Sequence, residues 1–166
     1  MINYLFSGAL LIFAATSPNG EEKVAEGGNA FEIEEAAVFK GAGFKLVEEE
    51  WRKCGDPGTP SYQPGEISKI GDFNDDGYPD AIVTEGSSYC FGRSGSGFSI
   101  VSQQENGEWW IMADMTGIPK FLDNHGINGW PDLEIAGPGF CFPILRWTGA
   151  EYVVDRHEYE GKPCEP

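Results

Sequence analysis

The sequence predicts a mainly β domain, and three observations support this fold class. Glycine accounts for 23 and proline for 11 of the 166 residues, and aromatic residues make up 13%. This composition is typical of short strands joined by tight turns. A turn rich in Asp and Asn at 72–80 leads into the β-forming stretch 81–84, and the chain then repeats part of itself. We therefore expect a small antiparallel β domain preceded by one short helix.

The internal repeat defines the expected building unit. Three pairs of segments match, namely 76–83 with 128–135, 89–91 with 140–142, and 104–111 with 146–153. In the last pair, Asn106-Gly107 and Thr148-Gly149 are the expected hairpin turns. Each unit is expected to consist of a turn, a strand, a cysteine-bearing strand and an aromatic strand. The pattern predicts two such units and a degenerate third one on the N-terminal side.

The segment before the repeat has a different pattern. At 31–42, one helical face behind glutamates is expected to contain Ile33, Ala36, Ala37 and Lys40 with Phe39, and Gly41 and Gly43 follow, which predicts a short helix. Residues 44–51 predict a strand, and residues 54–65 predict a loop because of their glycine and proline content.

The turn at 72–80, called the first loop below, carries side-chain oxygens at its positions 1, 3, 5 and 9. These residues are Asp72, Asn74, Asp76 and Asp80. The backbone carbonyl of Tyr78 falls at position 7, and Gly77 permits the sharp turn that the spacing needs. Because Ca²⁺ takes six to eight oxygen ligands from a flexible backbone, the spacing predicts a calcium site. The alternative is a turn without metal, since Asp and Asn are also turn formers.

The residues that follow separate the first loop from calcium loops flanked by helices. Pro79 lies inside the loop, Val83 stands where such loops usually carry glutamate, and 81–84 favours a strand. This pattern resembles the calcium loops of FG-GAP and VCBS-type repeats, which form the blades of integrin-α-like β-propellers. The resemblance implies that Asp72, Asn74, Asp76, the Tyr78 carbonyl and Asp80 bind Ca²⁺ and that Asp75 points to solvent.

The resemblance extends loosely over residues 65–160 and has consequences for architecture and function. A chain of 166 residues is too short for about four or more blades of four strands each. The expected architecture is therefore two to three blade-like units, arranged as a partial propeller or a sandwich, or closed by oligomerisation. The family implies a non-catalytic binding module that holds one structural Ca²⁺.

The matching turn at 124–132, called the second loop below, is not expected to bind a second Ca²⁺. In register with the ligands of the first loop it offers Asn124, Gly126, Asn128 and Asp132. One carboxylate thus replaces three, and Ca²⁺ affinity depends on the number of ligand charges. We expect Asx-turns and the packing of Trp130 and Pro131 to hold this loop instead.

The N-terminal residues predict export. Residues 1–18 begin with an apolar run that is shorter than the roughly 20 residues of a membrane-spanning helix, which predicts a secretory signal, with a retained anchor as the alternative. Residues 19–30 predict a flexible tail and residues 31–166 a single domain. We expect a periplasmic or secreted protein whose mature chain has no membrane span.

Four cysteines fit this compartment. Cys54, Cys90, Cys141 and Cys164 lack the paired C-x-x-C spacing of metal sites. Two disulfides are predicted because the expected compartment is oxidising. Three pairings are possible, and the sequential one, Cys54 with Cys90 and Cys141 with Cys164, is favoured because each bond closes a moderate loop. The alternative is four free thiols in a cytosolic protein.

The charge of the chain limits its partners. The net charge of −16 comes from 27 acidic and 11 basic residues and argues against nucleic acid and anionic membranes. An unknown protein or glycan partner, or a cation, is compatible with it. Ser94-Gly95-Ser96-Gly97 resembles the Ser-Gly loops that some periplasmic lysozyme inhibitors place in the lysozyme cleft. That resemblance implies inhibition of a lysozyme-like hydrolase as an alternative function, and a plain turn is the other interpretation.

Catalytic patterns are weak, and we expect no enzyme. No G-x-S-x-G or H-E-x-x-H motif occurs, and His125 and His157 are interpreted as surface or edge residues. The acids Asp123, Asp132 and Glu134 leave a glycan hydrolase as a further alternative. The larger aromatic side chains are interpreted as β core rather than as a sugar-stacking face; they are Trp109, Trp110, Trp130, Trp147 and Tyr152.

Overall fold

The computed structural model describes residue 31 and residues 33–166. The predicted signal at 1–18 and the predicted tail at 19–30 lie outside the described residues. Two α-helices are present, α1 (Glu35–Gly41) and α2 (Ser88–Phe91). The strands are β1 (Lys45–Val47), β2 (Glu50–Arg52), β3 (Gln63–Gly71), β4 (Asp80–Gly86), β5 (Ser96–Gln103), β6 (Trp109–Thr116), β7 (Ile118–His125), β8 (Pro131–Ala136), β9 (Phe142–Trp147), β10 (Tyr152–Tyr159) and β11 (Lys162–Pro163).

These strands form three antiparallel sheets, which confirms the prediction of a mainly β fold with a short helix near its N-terminal end. β1 and β2 form a separate hairpin. The first sheet has the order β3-β4-β5-β6, and the second sheet has the order β11-β10-β9-β8-β7. Each large sheet is a meander of consecutive strands, and within the described residues no sheet closes into a barrel.

The two large sheets pack face to face, so each supplies part of one core. That core contains Ile82, Phe98, Ile100 and Ala113 from the first sheet, and Leu133, Leu145, Trp147 and Tyr152 from the second sheet with Trp130 from its β7–β8 turn. Because neighbouring side chains of a strand point to opposite faces, Asp80 and Ser102 lie on the face of the first sheet that meets the second sheet. By the same alternation, Asp132 and Arg146 lie on the face of the second sheet that points away from the first.

A second core covers the other face of the first sheet. Helix α1 contributes Val38 and Phe39, which pack with Phe44 against Ala81, Val83 and Val101. The predicted helix at 31–42 is therefore present over Glu35–Gly41. Phe39 of its predicted face is buried, together with Val38, whereas Ala36 and Ala37 are only partly buried and Lys40 is exposed. Strand β4 is thus covered on both faces, which agrees with its nearly continuous apolar run.

Two local predictions are wrong. The segment 44–51 is not one strand, because Glu48 and Glu49 adopt positive φ values of 49° and 71° and turn the chain between β1 and β2. The residues around Cys90 are not a strand either. Ser87 caps α2 by accepting a 3.0 Å hydrogen bond from the Cys90 N–H, which begins a short helix there.

The cysteines lie in two pairs at disulfide distance. Cys54 faces Cys90 with a Cα–Cα distance of 6.2 Å, and Cys141 faces Cys164 at 5.7 Å. This agrees with the sequential pairing favoured above. Separately, no helix of the described residues is long and apolar enough to cross a membrane.

Candidate metal centre

The first loop joins β3 to β4 at one edge of the first sheet. Gly71 and Asp80 pair across the two strands and therefore close the base of the loop. Gly77 has a φ of 89°, in the left-handed region that glycine tolerates, as its place in the D-x-N-x-D-G spacing requires. Asp75 also has a positive φ, 59°, and is exposed. Its exposure agrees with the outward direction that the family resemblance implies.

The loop organises three of the predicted ligands through its own backbone. The carboxylate of Asp72 accepts hydrogen bonds from the N–H groups of Gly77, at 2.8 Å, and Asp76, at 3.1 Å. Asp76 accepts from the Tyr78 N–H at 2.8 Å and from the Asn74 side-chain amide at 2.8 Å. Among the described residues no three His, Cys, Asp or Glu side chains form a ready metal cluster.

Asp80 differs from the other three because it is buried and only half satisfied. Its exposed fraction is 0%, and Oδ2 accepts a 2.6 Å hydrogen bond from the Phe73 N–H. Oδ1 is the one buried side-chain oxygen or nitrogen of the described residues that has no hydrogen-bond partner. Burial raises the pKa of Asp80 to about 7, against the lowering effect of Ser102 and the Phe73 N–H, and the charges of Asp76 and Asp72 raise it further. A buried carboxylate oxygen without a partner is costly, and a cation beside it would remove that cost.

The first loop is anchored to the second sheet by two contacts. The ring of Phe73 packs against Phe121 of β7, with 4.9 Å between ring centroids. The backbone carbonyl of Asn74 lies so close to Gly129 that a Cβ atom at Gly129 would collide with it. Because Gly129 belongs to the second loop, the two loops lie side by side.

The second loop connects β7 to β8 and is held by contacts that differ from those of the first loop. The Gly126 N–H donates to the Trp130 carbonyl at 2.7 Å, and Asn128 takes a left-handed φ of 56°. Trp130 is buried against Trp147, with 6.0 Å between ring centroids, as the predicted packing of this loop requires. Asn124 is exposed near the end of β7.

Asp132 is the buried acid of the second loop, and two arginines satisfy it. Arg146 donates to both carboxylate oxygens, at 2.9 and 2.8 Å, and Arg156 donates to Oδ2 at 2.8 Å. Burial raises the pKa of Asp132, but hydrogen bonds and charge from Arg146 and Arg156 outweigh this and lower it. Asp155 and Glu158 complete the network by pairing with Arg156. Sequence reasoning missed both arginines.

The residues considered for catalysis either form ion pairs or lie at separate positions on β7 and β10. Asp132 is ion-paired, and Glu134 lies 3.6 Å from the Lys120 ammonium on the neighbouring strand. Asp123 is exposed in β7, His125 is exposed at the end of β7, and His157 is partly buried in β10.

Two of the four residues of the segment Ser94–Gly97 belong to the first sheet. Ser94 ends a short 3-10 turn, Gly95 has a left-handed φ of 67°, and Ser96 and Gly97 begin β5. Gly97 is paired with Glu85 on one side and Thr116 on the other.

The aromatic side chains divide between core and surface. Trp130, Trp147 and Tyr152 belong to the core between the sheets, and Trp109 packs against the second core. Trp110 is 57% exposed, in contrast to the predicted core position.

The acidic loop, its buried half-satisfied aspartate and the neighbouring ion-paired loop thus form the candidate site. Comparison of the chain with protein-family models, with curated proteins and with solved structures gives no match, so the resemblance to FG-GAP and VCBS-type repeats rests on its own residues.

Proposed function

We propose that this chain binds one Ca²⁺ ion in the first loop and acts as an exported, FG-GAP/VCBS-like, non-catalytic binding module. The observation that carries the proposal is the Oδ1 atom of Asp80, which is fully buried and lacks a hydrogen-bond partner at the base of an acidic loop. Such an atom is rare in a folded protein and calls for an explanation, and a bound ion is one of the recognised explanations.

The chemistry of the donors favours Ca²⁺ over other ions. Asp72, Asp76 and Asp80 supply carboxylates, Asn74 an amide oxygen and Tyr78 a backbone carbonyl. These are hard oxygen ligands without sulfur or imidazole, which excludes the usual ligand set of zinc or copper. Mg²⁺ demands a near-octahedral shell and keeps several waters, whereas Ca²⁺ accepts the irregular geometry of a short loop.

The negative charge of the first loop implies that a bound cation would stabilise the folded state measurably. Three carboxylates within nine residues repel one another, and the charges of Asp76 and Asp72 add a smaller effect to the burial that mainly raises the pKa of Asp80. A divalent cation would neutralise them in the folded state only. Binding to the folded state alone stabilises it by mass action, by about 2.7 kcal/mol when the free ion is at 100 times its Kd.

The assignment as a binding module has a different support. Two of the three acids considered for a hydrolase, Asp132 and Glu134, are engaged in ion pairs, and the third, Asp123, is exposed on β7. With a net charge of −16, the surface would attract a basic protein partner and repel anionic ones. The two loops at one edge are the surface we propose for that partner.

Thermal unfolding with and without Ca²⁺ tests the proposal. We expect the melting temperature of the purified protein to rise by roughly 5 to 10 °C at saturating Ca²⁺ relative to EDTA. Asp76→Ala is expected to abolish this gain. Asp75→Asn is the matched control, because Asp75 is the neighbouring acid, is exposed and has a left-handed φ that Asn tolerates. An unchanged melting temperature at millimolar Ca²⁺, or an equal loss in both variants, would refute the site.

A further inference from the structure

We infer that Arg146 and Arg156 occupy in the second loop the role that Ca²⁺ has in the first loop, so that one buried aspartate is neutralised by an ion and the other by the chain itself. This inference rests on the proposed function of the first loop. It adds that only one of the two related loops responds to Ca²⁺.

The strand registers place the two aspartates at equivalent positions of the two sheets, although Asp80 faces the other sheet and Asp132 faces away from it. Asp80 follows Pro79 at the start of β4 and pairs with Ser102 on β5. Asp132 follows Pro131 at the start of β8, and the register of β8 and β9, continued by one residue from Leu133 opposite Leu145, places it opposite Arg146. Ser102 of the first sheet therefore corresponds to Arg146 of the second.

The next strand pair extends the correspondence. The register between β5 and β6 is interrupted on β6, so that Ile100 pairs with Ala113 and Val101 with Ile111. The register between β9 and β10 is interrupted at the same step, where Ile144 pairs with Arg156 and Leu145 with Val154. Ala113 thus corresponds to Arg156.

At both corresponding positions, then, the first sheet has a small side chain and the second sheet has an arginine. Ser102 and Ala113 are both buried, with 1% and 4% exposure. Because neither side chain carries a charge, neither can neutralise Asp80.

The two aspartates differ in their hydrogen-bond partners, as expected if arginine replaces the small side chains only in the second sheet. Asp80 keeps one buried oxygen without a partner, although it belongs to the same core-facing surface as Ser102. Asp132 is equally buried, with 0% exposure, yet both of its oxygens accept hydrogen bonds from guanidinium groups. A bidentate arginine supplies a fixed positive charge together with directed donors, which is what a carboxylate needs when it leaves water.

Isosteric Asp→Asn changes at the two positions test this inference, because they should shift stability in opposite directions. In EDTA, Asp80→Asn removes a buried charge that has no counterion, so we expect its melting temperature to exceed that of the wild type by a few degrees, with no further gain from Ca²⁺. Asp132→Asn leaves two arginines without their shared anion. We expect it to melt roughly 5 °C or more below the wild type, by the same margin with and without Ca²⁺.

Ser102→Arg provides a second test that does not depend on removing an ion pair. It places an arginine opposite Asp80, as Arg146 is placed opposite Asp132, and we expect the folded variant to lose most of the Ca²⁺-dependent rise in melting temperature. Three results overturn the inference while the proposed calcium site stands: a loss of stability of Asp80→Asn in EDTA, rescue of Asp132→Asn by Ca²⁺, or a full calcium response of folded Ser102→Arg. A wild type that does not respond to Ca²⁺ overturns the proposed function and this inference together. If Ser102→Arg does not fold, the two asparagine variants decide.

Discussion

The backbone N–H of Phe73 donates a 2.6 Å hydrogen bond to one carboxylate oxygen of Asp80, and the other oxygen of that carboxylate is buried without a partner. The same residue, Phe73, packs its ring against Phe121 of the second sheet. The geometry of the first loop is therefore coupled to the packing of the two sheets. Changes in the second sheet or the second loop should alter how the first loop holds a cation.

Gly129→Ala is expected to disturb this coupling. Gly129 has a φ of 77°, and a Cβ atom there would collide with the Asn74 carbonyl. The left-handed conformation alone disfavours alanine by roughly 1–2 kcal/mol, and displacement of Asn74 adds to that. We expect a lower melting temperature in EDTA and, because Asn74 is a proposed ligand, a smaller rise on addition of Ca²⁺.

Gly107→Ala is the matched control for this change. Gly107 has a nearly equal φ of 81° in the hairpin turn between β5 and β6, and a Cβ atom would have open space around it. It should lose stability through backbone conformation only and keep the full response to Ca²⁺. Equal responses of the two variants would show that contact between the loops does not matter to the ion.

The pairing of Cys54 with Cys90 predicts a loss of stability when both are replaced. The bond ties the segment after β2 to helix α2 across 36 residues, and a closed loop of this length restricts the unfolded chain by about 3–4 kcal/mol. We expect Cys54→Ser with Cys90→Ser to shift the midpoint of urea unfolding downward accordingly. Mass spectrometry of the wild type before and after reduction provides the check, and four alkylatable thiols in the untreated protein would contradict the pairing.

Asp56 predicts a pH dependence in the acid range. Its carboxylate accepts hydrogen bonds from the N–H groups of Gly58, at 2.8 Å, and Thr59, at 2.7 Å, and from the hydroxyls of Thr59 and Ser87. Burial raises the pKa of Asp56, but hydrogen bonds from Ser87, Thr59 and Gly58 outweigh it and lower the pKa to about 2, from 3.8 in the unfolded chain.

The sign follows from this lowered pKa. The ionised form is favoured by folding, so its contribution to stability is complete above pH 3.8 and disappears as the pH falls through 2. We expect Asp56→Asn to melt below the wild type at pH 7 and the difference to narrow between pH 4 and pH 2. Melting curves across this range measure it, and a difference that stays constant down to pH 2 would be inconsistent with the lowered pKa.

Local chemistry made much of the fold predictable from the sequence. Three predicted turns lie between antiparallel strands, as their residue types indicate. They are the first loop, the turn at Asn106-Gly107 and the turn at Thr148-Gly149. Four of the five residues proposed as calcium ligands fall in the connection between β3 and β4, and the fifth, Asp80, is the first residue of β4. Their spacing carried this information because the whole loop is contiguous in the chain.

Other features depended on interactions that short sequence patterns do not contain. The turn at Glu48 and Glu49 has no glycine or asparagine, although both residues have positive φ, so the hairpin gave no turn signal. Helix α2 spans four residues and depends on the Ser87 cap, too short a stretch for apolar periodicity.

The arginines of the second loop were missed for a related reason. Arg146 and Arg156 are 14 and 24 residues from Asp132 in sequence. Only the strand registers bring these residues together. The sequence repeat matches 104–111 with 146–153 and so places Gln104, rather than Ser102, at the position of Arg146.

The most direct measurement is isothermal titration of the purified protein, freed of metal, with Ca²⁺. We predict a single binding site per chain in the wild type, no measurable binding in Asp76→Ala, and unchanged stoichiometry in Asp132→Asn. Absence of binding by the wild type at millimolar Ca²⁺ would contradict the calcium site. Two sites per chain would contradict the division between the loop that uses an ion and the loop that uses arginine.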